Sequence, residues 1–273
     1  MLKRLLKDKG AMFTIVLLAI ISLIGIFAPI TAPNDPYAVD IINKFAAPSA
    51  EFPLGADQLG RCVLSRMIWG IRPTLGLAIV TMIGTMALGL FFGLISGYFR
   101  GWVDEVIMRV VDIMLSFPSQ IMVFAVVALL GINVMNVILA NVLIKWAWYA
   151  RMIRTNVIKY RERNFVNYSK VIGNSEGFVL RRHLLPSIAS ETAMLASLDM
   201  GWAIINISTL SFLGLGVQAP TPEWGAMLND AKEVFMSNPI QMIVPGIAIV
   251  IVVSLFNHLG DVLRDALDPK EVM

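Results

Sequence analysis

Few side chains in this sequence are placed for chemistry. His183 and His258 are the two histidines and lie far apart, and Cys62 is the single cysteine. They can compose neither a tetrahedral zinc pattern nor an internal disulfide. No Gly-x-x-x-x-Gly-Lys-Ser/Thr run is present to cradle nucleotide phosphates, so no ATP hydrolysis is expected of the chain itself. The histidines have no evident acid or nucleophile beside them, which argues against a membrane-embedded enzyme. Charges set inside apolar runs are more informative. Asp199 lies near the middle of one such run, where a carboxylate is costly unless it faces a cavity or a partner. Lining a polar path and a buried hydrogen-bonded role both fit. Arg109 and Asp112 stand at i and i+3, the spacing of an intrahelical ion pair. Pro118 follows them and removes a backbone bond, which bends a helix. The 16 methionines read as core fillers rather than soft-metal ligands, since no Cys or His pairing accompanies them.

The elements that must position these residues are membrane helices. At 57% hydrophobic and 15% charged, the chain is too apolar for a water-facing core or a disordered one. A spanning helix takes about 20 residues, so six fit in 273 residues with short connections. The basic start, Lys3 to Lys9, precedes an apolar run from Ala11 to Ile30. That run is longer than a secretory core and reads as an uncleaved first span. Five more are expected at 73–98, 106–131, 134–150, 188–215 and 240–260. The expected fold is all-α, in two parts. Residues 1–72 hold the basic N-terminus, the first helix and an outer loop broken by Pro33, Pro36, Pro48 and Pro53. Residues 73–273 hold a five-helix core with a polar loop at 155–186.

Net charge is only +3, but its distribution is lopsided. If the N-terminus is inside, 16 Lys and Arg fall on inner segments and 5 on outer ones, with Lys145 inside a span. Inner loops retain basic residues, so both ends and the 155–186 loop are expected in the cytoplasm. Span two carries Gly84, Gly89, Gly93 and Gly97 on one stripe, where backbones can approach closely. Packing within the subunit and packing on a partner are equally open. Trp146-Ala-Trp148-Tyr149-Ala-Arg151 closes span four and reads as an interfacial aromatic belt.

The inner loop has its own pattern. Phe165, Tyr168, Val171 and Ile172 follow the spacing of a short amphipathic helix. Gly173 ends that helix, and Ser175 caps a second with Glu176 in its first turn. Two short helices at a turn make a knob that another protein could grip; a lipid-surface helix is the competing reading.

This loop resembles the Glu-Ala-Ala loop of binding-protein-dependent ABC importer permeases, in which a glycine is followed thirteen residues later by proline. Gly173 and Pro186 match, and Arg182-His183-Leu184-Leu185-Pro186 matches the usual end. Asn167-Tyr168-Ser169 stands where Glu-Ala-Ala is usual, so the acidic residue's role does not carry over. Further segments are similar to the peptide and nickel permease family, second-subunit type: Pro53-Leu-Gly55-Ala-Asp57-Gln-Leu-Gly60-Arg61, Ser211-Phe-Leu-Gly214-Leu-Gly216, Ala219-Pro220-Thr-Pro222-Glu-Trp224-Gly225 and Gly260-Asp261-Val-Leu-Arg264-Asp265-Ala-Leu-Asp268-Pro269. Within that family, Trp146 to Arg151 and Ser197-Leu-Asp199-Met-Gly201 look more like nickel or metal-chelate permeases than dipeptide ones.

The resemblance implies a six-helix type I permease with both ends in the cytoplasm of a prokaryote, sited in the plasma membrane. It implies a heterodimer with a homologous permease, two ATPase subunits that use ATP and Mg, and an extracytoplasmic solute-binding protein, with no nucleic acid. It implies no cofactor in this chain and a cargo of nickel or a metal–chelator complex, the alternative being di- or oligopeptides. Asn167, Ser169, Gly173, Arg182, His183 and Pro186 are then the expected coupling residues, and Asp57, Trp224 and Asp230 the docking surface for the binding protein. Asp199 and Met200 are expected along the translocation path, with no metal ligands assigned. A self-sufficient proton-coupled carrier using Asp199 or Asp112 is the rival from another class.

Overall fold

The computed structural model describes residues 8–267; Lys3, Arg4, Lys7, Asp268, Pro269 and Lys270 of the reading above lie outside them. Its long helices are α1 (Lys9–Ile26), α3 (Val63–Phe99), α6 (Val134–Arg161), α9 (Leu185–Phe212) and α11 (Ile240–Leu267). Shorter ones are α2 (Ala28–Thr31), α4 (Gly101–Leu115), α5 (Ser119–Leu130), α7 (Asn164–Val171), α8 (Glu176–Val179) and α10 (Trp224–Ala231). By length and composition α1, α3, the run from Glu176 to Phe212 and α11 are apolar enough to cross a membrane, and a fifth span results if α4 and α5 are taken together. The expected span at 134–150 falls on α6, which carries Asn136, Asn141 and Lys145 and runs on past position 150 to Arg161, so it falls short of that measure.

The segment 106–131 is not one helix. Α break at Ser116-Phe117-Pro118 turns α5 by 88° from α4. Proline lacks the N–H that would continue the ladder, and here Pro118 caps the second helix instead of kinking the first.

The glycine stripe is answered within the subunit. A Cβ at Gly84 would lie 2.9 Å from Val142, at Gly89 2.4 Å from Tyr149 Cβ, at Gly93 2.8 Å from Ala150 O and from Ile153 Cβ, and at Gly97 2.7 Å from Val157. Both partner numbers rise together, so α3 and α6 run parallel at backbone contact. Two parallel helices require α4 and α5 to carry the chain back over the bundle. Helix α9 runs antiparallel to α6, joined by Tyr160 to Glu191 at one level and Tyr149 to Asp199 at another. Helix α11 returns along α9, with Gly260 against Leu198 and Gly201 against Asn257. His258 meets Gly10 of α1, while Arg72 of α3 donates to Gly25 O (2.7 Å) and Ile26 O (2.5 Å), closing the free carbonyls at the end of α1. Residues 8 and 266 therefore share one end of the bundle with the 161–186 loop.

This packing overturns the aromatic belt. Trp146 and Tyr149 are buried, because the glycines of α3 leave room for large rings on the facing side of α6; Phe92 packs on Trp146 at 4.6 Å between centroids. Arg109 and Asp112 do not pair either. Asp112 binds Arg151 of α6, and Arg109 forms no ion pair among the described residues. The same end is stitched by Arg154 to Asp104 (2.6 and 2.5 Å), Arg100 to Glu162 (2.7 Å) and a bond from Ser96 to Asp104.

Candidate functional site

Two sites lie at opposite ends of the bundle and a third lies between them. The first is the loop 161–186. Ser175 caps α8 by accepting from Phe178 N at 3.3 Å, and Gly173 ends α7 at φ +84°, a conformation few residues but glycine adopt. No atom stands within 4 Å of a Cβ built there, so backbone shape rather than crowding selects glycine. A π turn, Leu180–Leu184, then runs without a break into α9, with exposed Pro186 just beyond it, where the helix already departs from the regular α ladder.

The knob is held by its inner face. Val166, Val179 and Leu184 are buried in the main core. Ser169, also buried, lies 3.1 Å from His183 Nε2 and accepts from Asn174 Nδ2 at 2.9 Å. The His183 ring sits between Phe165 and Phe178, at 5.9 and 5.7 Å. Lys170 lies over the Tyr98 ring at 4.7 Å, and burial, with Arg161 nearby, holds its ammonium below the usual lysine range. Ser169 and His183 thus shape the knob from within, whereas Asn167 and Arg182 are exposed on it.

The apolar set read from the sequence points outward. Tyr168 is 68% and Val171 83% exposed, and Phe165, Ile172 and Phe178 are also exposed. Five exposed apolar side chains in one short loop, beside the charges of Arg163, Arg181 and Arg182, mark a surface suited to contact with a partner.

At the opposite end, Asp57 and Trp224 are buried, which corrects their expected place on an open docking surface. Asp57 accepts from Leu59 N, Arg61 N and Arg61 Nε at 2.8, 3.0 and 2.7 Å. It pins a tight turn whose Gly60, at φ +75°, would drive a Cβ to 1.6 Å from Asp40 O. Arg61 and Arg66 both approach Asp230 at 3.5 Å, and Arg66, only 2% exposed, reaches Pro36 O and Pro220 O. Two arginines and two aspartates thereby join the loop before α3 to α10, and part of the Asp230 side chain stays exposed. Trp224 donates to Met67 O at 3.0 Å and packs against Gly70.

Glu223 stands in the Ala219 to Gly225 segment with no role assigned to it from the sequence. Wholly buried, it caps α10 at Ala226 N (2.9 Å) and accepts from Thr74 and Ser208 at 3.1 and 3.2 Å. A carboxylate at a helix N-terminus with three donors is well satisfied. Its signal was its place just ahead of an apolar helical run.

Between the ends, Asp199 accepts from Tyr149 OH at 2.6 Å and faces Lys145 Nζ at 3.4 Å. Met200 turns the other way and is buried in the core, which removes it from any path. Sequence reasoning passed over Lys145 as a lone charge in a span; its i, i+4 relation to Tyr149 on α6 was the available signal.

No group of three or more His, Cys, Asp or Glu among the described residues could hold a metal ion. The described residues thus form a helical bundle with an exposed apolar knob at one end and a braced loop platform at the other.

The comparisons agree with this arrangement. Residues 89–272 match the family model for the inner membrane component of binding-protein-dependent transport systems, and residues 1–48 match the N-terminal membrane domain of oligopeptide transport permease C. The chain is 43% identical over 269 residues to the metal-staphylopine import system permease of Staphylococcus aureus, covering 98% of this chain and 93% of that one. It is 41% identical over 258 residues to the nickel transport system permease of Escherichia coli, covering 94% and 93%. It is 38% identical over 268 residues to the dipeptide transport system permease of Alkalihalophilus pseudofirmus, covering 98% and 88%. The chain therefore belongs to the inner membrane components of binding-protein-dependent transport systems, multi-pass permease subunits of ABC importers in the bacterial cytoplasmic membrane, which leave ATP hydrolysis to separate ATPase subunits.

Proposed function

We infer that the chain forms half of the path of an importer for nickel or a metal–chelator complex, paired with a homologous permease in a heterodimer. The observation that carries the cargo is the likeness to metal-staphylopine and nickel permeases over nearly the whole chain. The chemistry of the helices supports a metal that arrives already chelated. A bare divalent ion must exchange water for fixed ligands, and no ligand cluster is found among the described residues.

In this reading the 161–186 loop faces the cytoplasm with both chain ends, following the excess of basic residues at that end. ATP and Mg act in the two ATPase subunits, whose closure grips the patch around Tyr168 and Val171 and rocks α6 and α9, the helices on either side of the loop. The solute-binding protein docks at the opposite end, where Asp230 is open and Asp57, Arg61, Arg66 and Trp224 keep the platform rigid. A second reading, import of di- or oligopeptides through the same architecture, has the dipeptide permease likeness in its favour.

Metal content separates the two. A strain deleted for the chain is expected to accumulate less nickel in metal-limited medium containing secreted or added chelators, and to grow normally on a dipeptide as sole source of a required amino acid. Normal nickel with failed dipeptide growth would give the chain to the peptide reading.

A further inference from the structure

The group at the middle of the bundle is not explained by packing. Lys145 and Asp199 sit near the midpoints of α6 and α9, within the runs expected to cross the membrane, where an ionised side chain is costly. Each keeps part of its surface open, 18% for Lys145 and 21% for Asp199. Partial opening at this depth fits a water-filled cavity that a second subunit completes.

The ammonium is held loosely. Its distance of 3.4 Å to Asp199 Oδ2 exceeds that of a good charged hydrogen bond. Its other neighbours are the faces of Trp202 at 3.7 Å and Trp148 at 5.3 Å, both partly open. Rings attract the cation but accept no strong hydrogen bond, so donors on Nζ remain available. Asp199 also receives Tyr149 OH at 2.6 Å, and so keeps a hydrogen-bond donor when the ammonium turns to another acceptor. Polar groups continue along the same two helices. Asn141 is four residues before Lys145 and Asn206 seven beyond Asp199; both are buried with an unpartnered amide oxygen, and Asn206 donates to Gln120 at 3.0 Å.

We propose that Lys145, presented between Trp148 and Trp202 and kept in place by Asp199, binds a carboxylate of the cargo, which makes the favoured cargo an anionic metal chelate. This rests on the metal-chelate reading above and narrows it: the metal's own charge is met by its chelator, and the permease meets the chelator's carboxylates. Lys145 is the ligand-binding group, and Asp199 with Tyr149 positions it.

The test uses cells carrying the complete importer with Lys145→Gln, Lys145→Arg, Asp199→Asn or the double variant Lys145→Gln/Asp199→Asn. Radiolabelled nickel is supplied in conditioned medium, and a radiolabelled dipeptide is supplied in parallel. Membrane abundance and copurification of the ATPases are measured for each variant. Lys145→Gln is expected to lower nickel uptake about tenfold or more, the loss of one hydrogen bond between charged groups, with Lys145→Arg retaining most of it. The double variant removes both charges and is expected to assemble normally yet stay as inactive as Lys145→Gln. Recovery of uptake in the double variant would make the pair a structural bridge only and overturn the proposal. If wild-type cells take up the dipeptide and not nickel, the cargo reading falls, and the same variants still decide the site: dipeptide uptake lost in the double variant supports carboxylate binding at Lys145, and uptake recovered refutes it.

Discussion

Replacing Gly93 with leucine is expected to remove the chain from the membrane. At this position α3 and α6 approach so closely that even a Cβ would lie 2.8 Å from Ala150 O and from Ile153 Cβ, inside any real contact distance. The obstacle includes backbone, which cannot rotate away as a flexible side chain can. Leucine adds three more carbons, and the helices must separate along the whole glycine stripe, losing the contacts of Gly89 with Tyr149 and Gly97 with Val157 as well. Small residues are what let membrane helices associate without a hydrophobic drive between them. Overpacking a tight site by extra methylenes costs ~1–3 kcal/mol even where side chains can yield; here the cost falls on the longest pairing in the bundle. Gly76 lies on the same helix with nothing within 4 Å of its Cβ position, and Gly76→Leu is expected to be tolerated. Immunoblots of the membrane fraction and the elution of the detergent-solubilised importer check both. Normal assembly of Gly93→Leu would refute the parallel packing of α3 on α6.

Val171→Asp is expected to leave the chain folded and abolish ATP-driven transport. Val171 is 83% exposed, so a carboxylate there disturbs nothing in the isolated subunit. The patch it belongs to, with Phe165, Tyr168, Ile172 and Phe178, is apolar because a partner covers it in the proposed complex. Burying an unpaired carboxylate in that contact would cost several kcal/mol, and about 3 kcal/mol is already a factor of roughly 100 in association. Two readouts separate coupling from folding: copurification of the ATPase subunits and uptake by the reconstituted importer should both fall, while the abundance of the permease pair stays level. A variant that keeps the ATPases and transports normally would remove this patch from the coupling contact.

The parts of this architecture that were readable from the sequence are those set by local pattern. Apolar runs placed α1, α3, α9 and α11 because each must match the thickness of a bilayer by itself. Ser175 and Gly173 marked helix ends through cap chemistry and positive φ, which act within a few residues. The glycine stripe announced a close contact and left its partner open, since small residues say how near a helix comes and not which helix it is.

What was misread depends on residues distant in the chain. Asp112 was given to Arg109 because i, i+3 neighbours are visible in a sequence, yet Arg151 of α6 is what folding brings to it. Trp146 and Tyr149 resembled an interfacial belt by composition, but the cavity left by Gly89 and its neighbours draws them inside. Asp57 and Trp224 stood in polar loops, where exposure is the default. Their burial comes from Arg61, Arg66, Met67 and Gly70, which tie those loops to α3. Lys145 and Asp199 each appeared as a lone charge, and their relation exists only once α6 and α9 lie antiparallel.

The most direct measurement reconstitutes the permease pair into vesicles, with and without its ATPases, and follows nickel uptake in the presence of the binding protein and chelator. With ATPases and ATP enclosed on the side of the 161–186 loop, uptake is expected to rise well above that of empty vesicles; without them, it is expected to stay at the empty-vesicle level under an imposed pH gradient. Uptake by the permease pair alone, driven by the pH gradient and indifferent to ATP, would contradict an ATP-driven permease gripped through its 161–186 loop.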